Sequence, residues 1–135
     1  MNFLLFIELS KLQASNSKLS VASKEYDLEN RTYLFARECR QLVNKLPKSV
    51  SNIEDSKQLV RSSGSVGANY IEANESFSKK DFLYRIKICR KESKESVLWL
   101  NLLSDLNSDE YEFQSLIDEA VELKKIFSTI IKNSQ

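Results

Sequence analysis

The chain has no histidine, and its 135 residues include only one proline, two glycines and two cysteines. Each scarcity closes off a class of chemistry. Without histidine there is no Ser-His-Asp or Cys-His catalytic set, no HExxH metalloprotease motif and no Glu-x-x-His di-iron site. Cys39 and Cys89 are far apart and form no CxxC, so the common zinc patterns are missing too, and the pair reads as reduced thiols of a cytoplasmic protein. Both occupy heptad core positions, where a thiol serves as a small buried hydrophobe. No nucleophile, base and orienting group come together, so the chain reads as a non-enzyme without catalytic, cofactor-binding or metal-binding residues. An excess of one charge is also lacking. Lys and Arg number 20 against 19 Asp and Glu, and a net charge of +1 gives no global pull toward nucleic acid or an anionic membrane. No apolar run approaches the ~18 residues that a membrane span needs. The short patch from Phe3 to Ile7 has no basic residue before it and Glu8 directly after it, which is not the pattern of a secretory signal.

What is present points to helices. Apolar residues make up 41% and charged residues 29%, and the scarcity of Gly and Pro favours long helices over strands and turns. The length fits one domain with a single core. Residues 1–24 read as a weakly structured or peripheral leader, because Gln13 to Ser23 is polar, serine-rich and only weakly periodic; residues 25–135 read as the folded domain. Helical spacing predicts a first helix from Leu28 to Leu46, capped by Asp27 and stopped by Pro47, with Leu28, Phe35, Cys39, Leu42 and Leu46 as its stripe. A second is predicted from the capping box Ser51-Asn-Ile-Glu54 to about Glu75. Ser78 opens the third, from Lys79 to Leu106, where Phe82, Ile86, Cys89, Ser93, Ser96, Leu100 and Leu103 alternate fours and threes without a break. Ser108 is expected to cap the fourth, from Asp109 to Lys132, with Phe113, Leu116, Ala120, Leu123, Phe127 and Ile130 inside. Short connections between long helices imply an all-α, up-down-up-down antiparallel four-helix bundle.

The segment Gln58 to Phe77 holds both glycines among serines and resembles a phosphate-binding loop. It lacks the GK[ST] of a Walker A loop and the GxGxxG of a dinucleotide loop, and its bare GxxG has no sheet around it to make a KH-type clamp. Helical spacing runs through it instead. Leu59, Val66 and Ala73 recur every seventh residue, beside Ile53, Val60, Gly67, Tyr70 and Phe77. As a helix, it would present Ser63, Gly64, Gly67 and Ala68 as a small-residue face for close packing or assembly. That contact has to offset about 1 kcal/mol per helical glycine. Trp99, beside the third stripe, is expected in a core or subunit contact.

The run Leu59 to Ala73, LVRSSGSVGANYIEA, followed by Lys80-Asp-Phe82, resembles the signature of the bacterial four-helix-bundle proteins encoded in intervening sequences of 23S ribosomal RNA genes. Leu46-Pro47, the stretch Lys91 to Glu95 and Trp99-Leu100 resemble that family in the same order. The resemblance implies a ring-like homopentamer associated with RNA and without enzyme activity. It also implies likeness to the bundles that accompany the reverse transcriptase of diversity-generating retroelements.

Charge is unevenly placed along the chain. Residues 78–104 carry seven basic and three acidic groups, and residues 105–135 carry three basic and seven acidic. On the third helix Lys80, Tyr84, Lys87, Lys91 and Lys94 recur at fours and threes, flanked by Lys79 and Arg90. A basic stripe with an aromatic can follow a phosphate backbone and stack a base, whereas an ordinary solvated helix face can carry the same charges. The sequence supports both readings. The functional alternatives are therefore an RNA- or DNA-associated homo-oligomer and a scaffold for a nucleic-acid-processing protein, with no membrane partner.

Overall fold

Residues 27–135 are described in a computed structural model, and the leader expected at 1–24 lies outside the described residues. Helix α1 spans Leu28–Val43; Asp27 caps it, its Oδ1 accepting from the Glu29 and Asn30 amides at 3.0 and 3.4 Å. The helix stops three residues earlier than the spacing predicts. The Pro47 ring would clash with the carbonyl of Val43, four residues back, and it bars Leu46 from helical geometry. Lys45 and Leu46 instead donate to the Leu42 and Val43 carbonyls in a tightened final turn, which still buries Leu46.

Helix α2, Val50–Asn74, begins earlier than the proposed Ser51–Glu54 box, which does not form. Ser49 is the cap, accepting from the Asn52 amide at 3.1 Å. The reason is the Asn52 side chain, whose Nδ2 donates to the Pro47 carbonyl at 2.9 Å and to Asn107 Oδ1 at 2.8 Å, fixing the entry to the helix. The glycine-serine segment lies wholly within α2 and is helical throughout. Helix α3, Lys79–Asp105, starts at its expected cap, with Ser78 Oγ accepting from the Asp81 amide at 3.1 Å.

Helix α4, Gln114–Ser134, starts five residues later than expected. Ser108 Oγ accepts from the Glu110 amide within a turn, and Phe113 takes the cap position with no side-chain hydrogen bond. Burial decides this. Phe113 is buried and meets Tyr111 edge-on at 6.3 Å between ring centroids. Burying such a ring contributes about 2 kcal/mol, more than the ~1 kcal/mol of a serine cap. Asp109, Glu110 and Glu112 consequently stay exposed in the connection and do not line a first turn.

The four helices run up, down, up, down. Asn52 meets Asn107, Ser62 meets Ser96 at 2.8 Å and Asn69 meets Arg85, a register that makes α2 and α3 antiparallel. Helix α1 lies against α2 through Thr32 and Arg40 and is tied to α4 by a forked pair, Arg31 Nε and Nη2 donating to Glu119 at 2.7 and 2.9 Å. Every stripe residue expected for the first, third and fourth helices is buried. In the second, Leu59, Val66, Tyr70 and Ala73 are buried, while Ile53 and Phe77 are exposed.

Small polar residues make the seam between α2 and α3. Ser93 and Ser96 donate back to the Cys89 and Glu92 carbonyls at 2.8 and 3.0 Å, so their buried hydroxyls are satisfied and their small size lets the helices close together. Cys89 Sγ donates to the Val66 carbonyl at 3.4 Å. Burial pushes both the Cys39 and the Cys89 thiol up to about 12, so neither is a ready nucleophile near neutral pH.

Candidate nucleic-acid interface

Burying the Phe82-to-Leu103 stripe turns the opposite face of α3 to solvent, because residues three and four apart share a face. Lys80, Tyr84, Lys87, Lys91 and Lys94 all lie exposed there, along about 21 Å of helix. Lys79 is exposed at its start, and Arg90 is half-buried on its flank. Among the described residues, no ion pair engages Lys80, Lys87, Arg90, Lys91 or Lys94.

Of the α3 carboxylates only Glu95, four residues after Lys91, stands a turn from a lysine of the stripe, and it is drawn elsewhere. Glu92 and Glu95 share α3 with the lysines, but Arg61 of α2 takes both, its Nη2 lying 3.3 Å from Glu92 Oε1 and 2.8 Å from Glu95 Oε1. The Glu92 hydrogen bond raises the Arg61 pKa still further above its ordinary value. Glu92 is buried and needs a partner, so the guanidinium is committed to that side of α3. Glu72, eleven residues from Arg61 on the same helix, stays exposed and takes no part.

Tyr84 is 61% exposed, and the Arg85 guanidinium carbon sits 5.6 Å from its ring centroid. Arg85 is itself anchored, its Nη1 donating to Asn69 Oδ1 at 2.9 Å. The Asn69 amide nitrogen donates to the Ser65 carbonyl at 2.9 Å and to Ser65 Oγ at 3.1 Å, which leaves its oxygen to face Arg85. The glycine-serine segment therefore supports the aromatic of the basic face from below.

The small-residue candidates divide among different surfaces. Gly64 and Gly67 face α1: a Cβ on Gly67 would lie 3.2 Å from Thr32 Oγ1, and one on Gly64 would lie 3.0 Å from the Arg40 guanidinium. Ser63 is buried, its hydroxyl 3.4 Å from the Val60 carbonyl. Ala68 is exposed and stands apart from this contact. Trp99 is half-buried against the core, and its indole N–H has no acceptor among the described residues.

Sequence spacing found the lysines but not the partners of Arg61, Arg85 and Asn69, which depend on the register between α2 and α3. It also missed the continuation of the face. Leu98, Leu102 and Leu106 follow Lys94 at intervals of four and are exposed by 49, 37 and 66%. A separate open cleft of about 400 Å³ lies between the end of α1 and the start of α4, with Glu38, Glu110 and Glu112 around it. Among the described residues, no cluster of three or more His, Cys, Asp or Glu could hold a metal ion, and no helix is long and apolar enough to cross a membrane.

Comparison with known proteins reaches the same bundle. A crystal structure of a protein of unknown function from the S23 ribosomal protein family of Bacteroides thetaiotaomicron superposes with a TM-score of 0.65 at 32% identity, covering 77% of this chain and 97% of the other. None of the curated proteins matches the chain. Residues 24–129, which include the glycine-serine helix and the whole basic face, match the 23S rRNA-intervening sequence protein family, and the chain belongs to that family.

Proposed function

We propose that the chain is a non-enzymatic, homo-oligomeric protein that associates with RNA or other nucleic acid through the outer face of α3. The observation that carries this reading is the row of exposed lysines, Lys80, Lys87, Lys91 and Lys94, which enter no ion pair among the described residues; the one carboxylate a turn away from any of them, Glu95 beside Lys91, is held by Arg61. Phosphates release their counterions to such a row, and the gain grows with each contact. A net charge of +1 makes this a local effect, so repetition of the row around an assembly, such as the pentamer that the family resemblance implies, would raise avidity without any new contact type.

The test is RNA binding by the full chain at low salt, with light scattering on the same sample. Lys87→Glu with Lys91→Glu is expected to weaken binding while leaving the mass unchanged. Failure of the unaltered chain to bind at low salt contradicts the reading.

A second reading rests on Leu98, Leu102 and Leu106. An apolar row on an exposed helix face fits contact with another helix, either of a second copy or of a nucleic-acid-processing protein such as a reverse transcriptase, for which this chain would be a scaffold. Leu98→Asp with Leu102→Asp separates the two roles: loss of assembly alone assigns the row to self-association, and loss of partner capture by an intact oligomer assigns it to the scaffold.

A further inference from the structure

Lysines on a helix do not by themselves distinguish a duplex from a single strand, since both offer phosphates. Exposed aromatic rings do, because a duplex hides the faces of its bases within its own stack. Two such rings stand at the basic end of α3. Tyr84 sits one turn after Lys80 and one turn before Lys87, 61% exposed, with its ring steadied by Arg85. Arg85 is held in turn by Asn69 of α2, itself bonded to Ser65, so the ring is tied to both α2 and α3. Phe77, in the turn two residues before α3, is 98% exposed. A phenylalanine this open contributes nothing to the core, and in the chain it precedes Lys80, the first lysine of the row, by three residues.

We infer that this face takes single-stranded nucleic acid, RNA or DNA, with bases stacked on Tyr84 and Phe77 and the backbone following Lys80, Lys87, Lys91 and Lys94. The inference rests on the nucleic-acid reading above and narrows its ligand. Stacking on a ring tolerates any base, so binding is set by strandedness and charge and not by sequence. The acidic cleft between α1 and α4 lies away from this face and takes no part.

The experiment compares labelled single-stranded RNA, single-stranded DNA of the same sequence and duplex RNA, each about 16 nucleotides long, on the full chain at one fixed low salt concentration. At least one of the single strands is expected to bind about tenfold tighter than the duplex, and whichever of RNA and DNA binds tighter identifies the source. Tyr84→Leu and Phe77→Ser, both at exposed positions, are each expected to raise the single-strand Kd by about tenfold and to leave the duplex Kd and the circular dichroism spectrum unchanged. Duplex binding as tight as both single strands, or single-strand binding indifferent to Tyr84→Leu and Phe77→Ser, overturns the stacking inference and leaves the basic-face reading standing. Absence of binding to all three probes, or binding indifferent to Lys87→Glu with Lys91→Glu, overturns both.

Discussion

The outer face of α3 changes character at Lys94. Before it the exposed residues are mainly lysines around a tyrosine; after it Leu98, Leu102 and Leu106 are exposed, with Asn101 and Asp105 beside them. The inner face shows no such break, since Phe82, Ile86, Cys89, Ser93, Ser96, Leu100 and Leu103 are all buried along the whole helix. Packing constrains the inner positions by size and by hydrogen-bond satisfaction, and leaves the outer positions free to differ. One continuous helix can then present charge at one end and apolar surface at the other, which is what a protein needs if it holds a polyanion and another protein together.

The largest disturbance of this comparison should remove both halves at once. In Gly67→Leu even the first side-chain carbon would lie 3.2 Å from Thr32 Oγ1 and 3.8 Å from the Thr32 backbone carbon. Thr32 cannot easily yield, since its hydroxyl donates to the Leu28 carbonyl at 2.9 Å within the buried face. A loss of about 3 kcal/mol is expected in urea unfolding, with nucleic-acid binding and assembly failing together. Next comes Lys87→Glu with Lys91→Glu, expected to lower nucleic-acid affinity by about a hundredfold in a filter or anisotropy assay while the fold persists. Leu98→Asp with Leu102→Asp attacks the other half. Its expected signature is a lower mass by light scattering, with affinity falling by about tenfold through lost avidity and not through lost contacts.

A pH effect separates the inner face from both. Burial pushes the Cys39 and Cys89 thiols from 9.0 up to about 12 in the folded protein, so the unfolded chain ionises first. The folded state holds those protons longer, so their contribution to stability is complete below pH 9 and is lost as pH rises toward 12. Urea midpoints measured from pH 7 upward should be flat and then decline across that window. The smallest change is Gly64→Ala, whose new Cβ meets only the mobile tip of Arg40 at 3.0 Å. The expected gain is about 0.5 kcal/mol by thermal melting, as helix propensity outweighs the Arg40 contact with the Val60 carbonyl, and both outer surfaces should keep their properties.

Helix α3 was legible in the sequence because its signals are local and agree: a serine cap, an unbroken alternation of threes and fours, and no Gly or Pro inside. The start of α4 was not. Ser108 and the acids after it have the composition of a cap, but Tyr111 and Phe113 gain more by folding into the bundle, and that gain depends on helices far away in the chain. The second helix mixes the two cases: its course follows from Leu59, Val66 and Ala73, while its cap moved to Ser49 because Asn52 reaches Asn107 across the bundle. The lysine row was likewise readable from spacing alone. That Lys91 stays clear of Glu95, four residues on, could not be read, since it depends on Arg61 meeting Glu95, 34 residues away.

The central claim is that the lysines of α3 contact phosphates, and the salt dependence of binding tests it most directly. Plotted as log affinity against log salt for single-stranded RNA, four lysine contacts per chain give a slope of about −2.8. Lys87→Glu with Lys91→Glu should flatten that slope by about 1.4, the share of two contacts. An unchanged slope in the double variant, with fold and mass intact, would mean that phosphates are held elsewhere and would contradict the account.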